Sequence, residues 1–276
     1  KAAGFLAPFV FGAVVMSNIG SFDKQIAAAT DPAQREALLN AFAAKVHLPY
    51  MVMAGLLVVL AIWVVRSSLP EIRASHDNSE RAIGHDKGSV FSFPHLWLGV
   101  LCLFVYVGVE VMAGDAIGTY GQGFGMSPED TKHFTSYTLF AMLLGYVAGL
   151  ALIPRFISQH TYLAISAVLG VLFSIGTYVT TGYTSVAFVA ALGFANAMMW
   201  PAIFPLAIKG LGRLTEFGSA FLIMGIAGGA IVPLIFAHLK QVYDFQAVFL
   251  VIMAVCYLYI LFYGAVGHRI GQHLKN

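Results

Sequence analysis

Charge is scarce in this chain. Of 276 residues, 15 are Lys or Arg and 13 are Asp or Glu, a charged share of 10% against 59% hydrophobic residues. A soluble domain carries about a quarter charged residues, so an ordinary water-exposed globule is excluded and a polytopic membrane protein is implied. The net charge of +2 is spread over many short polar segments, which supports neither a nucleic-acid surface nor a polybasic tail. Cysteine is nearly absent. Cys102 and Cys256 each sit in an apolar stretch without a His or Cys neighbour, which speaks against a disulfide framework and a metal knuckle. The nine histidines form no i, i+3 or i, i+4 pair, and no Gly-rich phosphate loop with Lys and Ser or Thr occurs. Metal transport and nucleotide-driven transport therefore lack support, and no cofactor is expected. A secretory leader is not evident either: the chain starts at Lys1 and turns apolar almost at once, so further sequence upstream is expected.

What the chain does have is long apolar runs. Crossing a hydrocarbon core of about 30 Å takes roughly 20 residues of helix. About eight such runs occur, near 3–19, 48–65, 96–120, 134–153, 162–179, 185–208, 217–239 and 247–266. None shows barrel-like alternation, so the expected fold class is all-α, with helices satisfying their own backbone in lipid. Ten of the 15 Lys and Arg fall at the two ends and in alternate loops, against five in the opposite loops. The positive-inside rule then places both termini in the cytoplasm of an inner-membrane protein, in agreement with an even number of spans.

Two connections are long. The stretch 67–94 is polar and reads as a cytoplasmic linker. The outer loop 21–47 contains "DPAQREALLNAFAAKV", where Asp31 can cap, Pro32 fits the first helical position and the remainder forms a short amphipathic helix lying on the surface. The chain thus divides into 1–66, two helices with an outer loop, then the linker, then a six-helix bundle over 95–276. Six spans after a central linker match one half of a major-facilitator-like bundle, with the first half incomplete.

Inside the runs, a few polar side chains stand out. A carboxylate at the bilayer centre costs about 2.5–3.5 kcal/mol on insertion scales, so it lines a bundle or a watery cavity. In "FVYVGVEVMAGDAIGTYGQG", Glu110, Gly114 and Gly121 share one helical stripe, while Asp115, Thr119 and Gln122 share another. The glycines weaken the helix toward its outer end, where a bend or unwinding would expose backbone groups to a substrate. The competing reading is close helix packing, with Glu110 bonded to a neighbouring helix and Asp115 at the interface. In "GFANAMMWPAIFPLAIKGLG", Asn196 and Trp200 lie one turn apart, and Pro201 and Pro205 interrupt the backbone ladder. An amide can donate to and accept from vicinal hydroxyls, and an indole can cover the C–H face of a pyranose. The pair fits an interhelical Asn bond beside a packed Trp equally well. Gly225 and Gly229 form a small-xxx-small packing pattern. Arg155, in "IPRFIS", suits either a gate contact at a helix C-terminus or a topology anchor.

The stretches "YVGVEVMAGDAIGTYG", "GLALIPRFIS" and "NAMMWPAIFPLAIKGLGRLTEFGSAFLIMGIAGGAIVP" resemble the fucose, galactose and glucose proton symporters of the major facilitator superfamily. The resemblance covers nearly the whole chain and corresponds to helices five to twelve of the usual twelve. It implies a monosaccharide carried by alternating access with a proton as the coupling ion, in a carrier that is monomeric when full length. The family's coupling acids lie in its first and fourth helices, outside the matched region. Glu110 is therefore the intramembrane acid to test for proton coupling, and Glu110, Asp115, Gln122, Asn196 and Trp200 are the candidate sugar-site residues. A competing reading is a transport-inactive truncated, sensor or accessory membrane protein. An intramembrane enzyme is disfavoured, because no nucleophile and base accompany the two acids.

Overall fold

The computed structural model describes residues 25, 26, 28, 29, 31–67, 89–153 and 155–272, and among these every regular element is helical. The apolar run 3–19 and most of the linker 67–94 lie outside the described residues. The helices are α1 (Pro32–Arg66), α2 (Pro94–Gly114), α3 (Ile117–Gln122), α4 (Pro128–Thr131), α5 (Phe134–Leu152), α6 (Gln159–Val179), α7 (Gly182–Asn196), α8 (Met199–Ile208), α9 (Thr215–Met224), α10 (Gly228–Leu239) and α11 (Phe245–Ala265). Seven described stretches are long and apolar enough to cross a membrane, and each overlaps an apolar run seen in the sequence.

The starts of these helices follow from local chemistry. The Asp31 carboxylate accepts from the Ala33 N–H at 3.1 Å and Pro32 takes the first helical position. Ser158 caps α6 by accepting from the Thr161 N–H at 3.3 Å, and Asp244 caps α11 by accepting from Ala247 N–H at 2.8 Å. Each satisfies one of the donors that a helix start leaves without a partner.

One element departs from the expected layout. The surface helix expected in the 21–47 loop and the span near 48–65 are a single 35-residue helix, α1, which runs through Pro49. A proline inside a helix removes one hydrogen bond, whereas a break would create two ends, each with up to four unpaired backbone groups. At 1.5 Å per residue the helix is about 50 Å long, so its first turns extend well beyond a 30 Å hydrocarbon layer. None of its apolar window 47–66 is buried against other described residues.

The remaining six spans pack together around α2. Twelve residues of α2 are buried, from His95 to Gly114, and the helix touches α7, α8, α9, α10 and α11. A helix apolar on every side belongs at the centre of a bundle. Around it, α11 lies along α6 and α7 packs against both α5 and α6. Polar side chains tie these contacts. Thr138 of α5 donates to the Ala113 carbonyl at 2.8 Å, and Gln246 of α11 donates to the Thr177 and Thr180 carbonyls at 2.7 and 2.8 Å, satisfying acceptors at the end of α6.

Three crossings are interrupted at depth. After Gly114 the Val111 carbonyl accepts from both Asp115 N–H and Ala116 N–H, at 2.8 and 3.1 Å, and this widened turn separates α2 from α3. The weakness expected from the glycines thus appears at Asp115–Ala116, on the near side of the Gly-rich stretch. Between α7 and α8 the break falls at Ala197–Met198, where Pro201 has no N–H to return to the Ala197 carbonyl. Between α9 and α10 a 3-10 turn spans Gly225–Ala227.

Candidate functional site

The interruptions and the central helix bring polar groups from four helices together. Glu110 is half-buried on the last turn and a half of α2. One turn earlier, the Tyr106 hydroxyl donates a hydrogen bond to its carboxylate, and Glu110 also acts electrostatically on Tyr257 of α11. Tyr257 in turn donates to Asn196 Oδ1 at 2.8 Å, linking α11 to the last residue of α7. Tyr146 of α5 is close enough to Tyr106 to interact with it electrostatically. The Trp200 ring meets Tyr106 edge-on at 6.4 Å between centroids and stacks on Phe204 at 6.5 Å. Such edge-to-face and stacked arrangements hold an indole in one orientation.

Burial makes this cluster energetically exacting. Tyr106, Tyr257 and Asn196 are at most 1% exposed. Asn196 has one amide end bonded to Tyr257 and the other, Nδ2, buried without a hydrogen-bond partner. An unsatisfied buried donor costs about 1–3 kcal/mol, so the helix packing keeps a group that it does not itself use. Asn196 therefore fills the interhelical role and retains a donor for a further acceptor. Chemically, the cluster offers an amide, three phenols, a carboxylate and an indole face. That set can bind a neutral polyhydroxylated molecule, with one ionisable group beside it.

The five sequence-selected residues separate into two groups. Glu110, Asn196 and Trp200 are connected through Tyr106 and Tyr257. Asp115 and Gln122 are exposed, together with Thr119, so their common stripe faces out of the described bundle. Sequence reasoning missed the tyrosines. Tyr106 carried a usable signal, standing four residues before an intramembrane acid, whereas nothing local marks Tyr257 as the partner of a residue 61 positions away.

The Tyr257–Asn196 bond has a measurable weight. Tyr257→Phe should leave the Asn196 amide without its remaining partner and destabilise the protein by about 1–3 kcal/mol. Tyr259→Phe loses a bond to the Leu98 carbonyl, 3.1 Å from a partly exposed hydroxyl, and should cost less. Thermal unfolding of the two variants in detergent compares them directly.

No family model matches the chain. A glucose/galactose transporter of Brucella abortus is 35% identical over 264 residues, which cover 94% of this chain and 59% of that protein. A putative glucose/galactose transporter of Helicobacter pylori is 28% identical over 232 residues, 82% of this chain and 56% of the relative. The L-fucose-proton symporter of Escherichia coli is 24% identical over 234 residues, 83% and 53% of the two chains. Among solved structures, the major facilitator superfamily transporter FucP in its outward conformation superposes with a TM-score of 0.64 at 23% identity, covering 87% of this chain and 59% of that one. The chain spans a little over half the length of the curated relatives it matches. It is an integral membrane protein with the fold of the major facilitator transporter FucP, and its sequence is similar to those of glucose/galactose transporters and an L-fucose-proton symporter.

Proposed function

We propose that the chain forms the larger part of a proton-coupled hexose permease. In this reading residues 1–66 hold the last two helices of an N-terminal bundle, 67–94 the cytoplasmic linker and 95–276 the C-terminal six-helix bundle, with both ends cytoplasmic in an inner membrane. The sugar lies against the C-terminal bundle. The Trp200 face covers the ring carbons, Asp115 and Gln122 reach toward the opposing bundle from the exposed stripe, and Asn196 Nδ2, sealed within the bundle in this conformation, donates to a hydroxyl once the break between α7 and α8 opens during the transport cycle.

The observation that carries this reading is the buried cluster itself, an amide with a spare donor joined through two tyrosines to an intramembrane carboxylate. Tyr106 touches both halves of the proposed chemistry, because its hydroxyl bonds Glu110 while its ring abuts Trp200. A proton on Glu110 changes what that hydroxyl donates to, and a sugar on Trp200 presses the same ring. Two ligands that bias one side chain are thermodynamically coupled in both directions.

The test is uptake of radiolabelled glucose, galactose and fucose by vesicles containing the complete reading frame, with and without an imposed inward proton gradient. At least one sugar should accumulate above equilibrium only with the gradient. Equal uptake in both conditions would remove proton coupling, and no uptake of any sugar would remove the permease reading in favour of an accessory role.

A further inference from the structure

Far from the tyrosine cluster, at the end of the bundle that carries Lys209, three basic side chains join two helices. His268 follows α11 in the 3-10 turn Gly267–Arg269 and is buried. Arg269 Nε donates to His268 Nε2 at 3.2 Å, so that nitrogen presents a lone pair. The other, Nδ1, lies 3.0 Å from the Tyr263 carbonyl and carries the proton. The same guanidinium reaches across to α6, where Arg269 Nη2 lies 3.4 Å from His160 Nε2. His160 Nδ1 then faces the Ser158 hydroxyl at 3.0 Å, the residue that caps α6. The two imidazoles stack with centroids 5.0 Å apart and planes 26° from parallel. Both rings are thus used as acceptors by one cation, an arrangement open only to neutral imidazole.

The latch sits where the two helices come closest at this end. A Cβ added to Gly264 of α11 would stand 3.2 Å from the Ala164 nitrogen and 3.3 Å from the His160 carbonyl of α6, so the backbones are nearly in contact. We propose that His160, His268 and Arg269 form a proton-released latch, which ties the start of α6 to the end of α11 while the His268 imidazole is neutral and frees them when it takes up a proton. A proton on His268 Nε2 displaces the Arg269 Nε donor and adds a second positive charge beside the guanidinium.

The surroundings favour release. The charges acting on His268 come from His160 on α6, Arg269 on its own turn and Lys209 after α8, all of them basic. His95 of α2 binds the same loop, its Nε2 donating to the Lys209 carbonyl at 2.9 Å, and Tyr263 of α11 sets its ring edge-on to His268. Burial, aided by those charges and partly opposed by the Tyr263 carbonyl, holds His268 below the ordinary histidine value. The sign follows from linkage. With the ordinary affinity in the released state and a weaker one in the latched state, the latch holds fully above the ordinary value of about 6.5 and weakens as pH falls below it. Because α11 also carries Tyr257, the latch would give the proposed sugar site a sensor of pH at this face, though its own geometry stands apart from that assignment.

Hydrogen exchange of the purified full-length protein tests it, followed in peptides covering 158–166 and 260–270 with an α5 peptide as internal reference. After correction for intrinsic exchange, protection in both peptides should fall by roughly tenfold between about pH 7.5 and about pH 5, with no matching change in the reference. His160→Ala, which removes the acceptor on α6 at a half-exposed position, should flatten the response by leaving both peptides poorly protected already at about pH 7.5, and His268→Gln should abolish it. No loss of protection in the unaltered protein, or a response of full size in His160→Ala or His268→Gln, would overturn the latch. Neither readout depends on sugar transport, so failure here and failure of the permease reading are distinguishable.

Discussion

Glu110→Gln in the complete protein should abolish gradient-driven sugar accumulation while leaving exchange of sugar across the membrane measurable. The substitution keeps the side chain's length and an oxygen that can accept from Tyr106, so the hydrogen bond between these residues survives. It removes the capacity to gain and lose a proton. A carrier that couples one proton to one sugar draws about 2.3 kcal/mol from each 100 mV of membrane potential, which corresponds to about a fiftyfold concentration ratio. Without the titrating group that ratio collapses toward one, because sugar equilibrates through a carrier that no longer takes up a charge. The discriminating measurement is the pair of rates: energised accumulation and unlabelled-for-labelled exchange. Loss of the first with retention of the second assigns Glu110 to coupling. Loss of both assigns it to sugar binding or packing, and full accumulation removes it from the mechanism. Tyr106→Phe provides the companion result, since it keeps the acid and deletes its partner, and should weaken coupling less severely than the loss of the carboxyl itself.

The helical scaffold was legible because lipid leaves little choice. A run of about 20 apolar residues has to satisfy its own backbone, so length and hydropathy together locate a span to within a few residues. The cap at Asp31 was visible for a related reason, as a short acceptor directly before a proline at the first helical position. The continuity of α1 was not, because Lys45, His47 and Pro49 together resemble a boundary, while one missing hydrogen bond is a smaller penalty than two new helix ends. The candidate site was only half legible. Periodicity put Asp115, Thr119 and Gln122 on one stripe, and all three are exposed. Periodicity cannot say how far one helix is rotated against another, and that rotation decides that Asn196 meets Tyr257 and that Glu110 lies near both Tyr106 and Tyr257.

The same dependence on helix rotation makes one glycine the most sensitive position in the bundle, and Gly228→Ala should cost more stability than any other single-methyl addition along α9 and α10. A Cβ at residue 228 would lie 1.9 Å from the Phe104 carbonyl oxygen and 2.6 Å from its carbon, so the obstacle is the backbone of α2, which has no rotamer to change. In the pattern noticed in the sequence, Gly225 also faces α2 backbone, the Val100 carbonyl, but at the milder distance of 3.0 Å, whereas Gly229 meets the Val107 side chain at 2.9 Å. A side chain can shift by tenths of an ångström. Two packed helices can relieve a 1.9 Å contact only by separating, which opens the α2–α10 seam along its length and undoes neighbouring contacts such as Gly108 against Val232. Overpacking of a well-filled interior typically costs about 1–3 kcal/mol, and a backbone clash belongs at or beyond the upper end. Gly114→Ala on the same central helix is the control: nothing lies within 4 Å of the added methyl, and replacing glycine in a helix returns up to about 1 kcal/mol of propensity. Thermal unfolding in detergent should therefore show Gly228→Ala melting several degrees below the unaltered protein, or failing to yield a folded fraction, and Gly114→Ala melting at or above it. Equal melting of the two variants would mean that α2 and α10 do not meet backbone to backbone at Phe104. The central position of α2, on which the placement of Tyr106 and Glu110 depends, would fall with that contact.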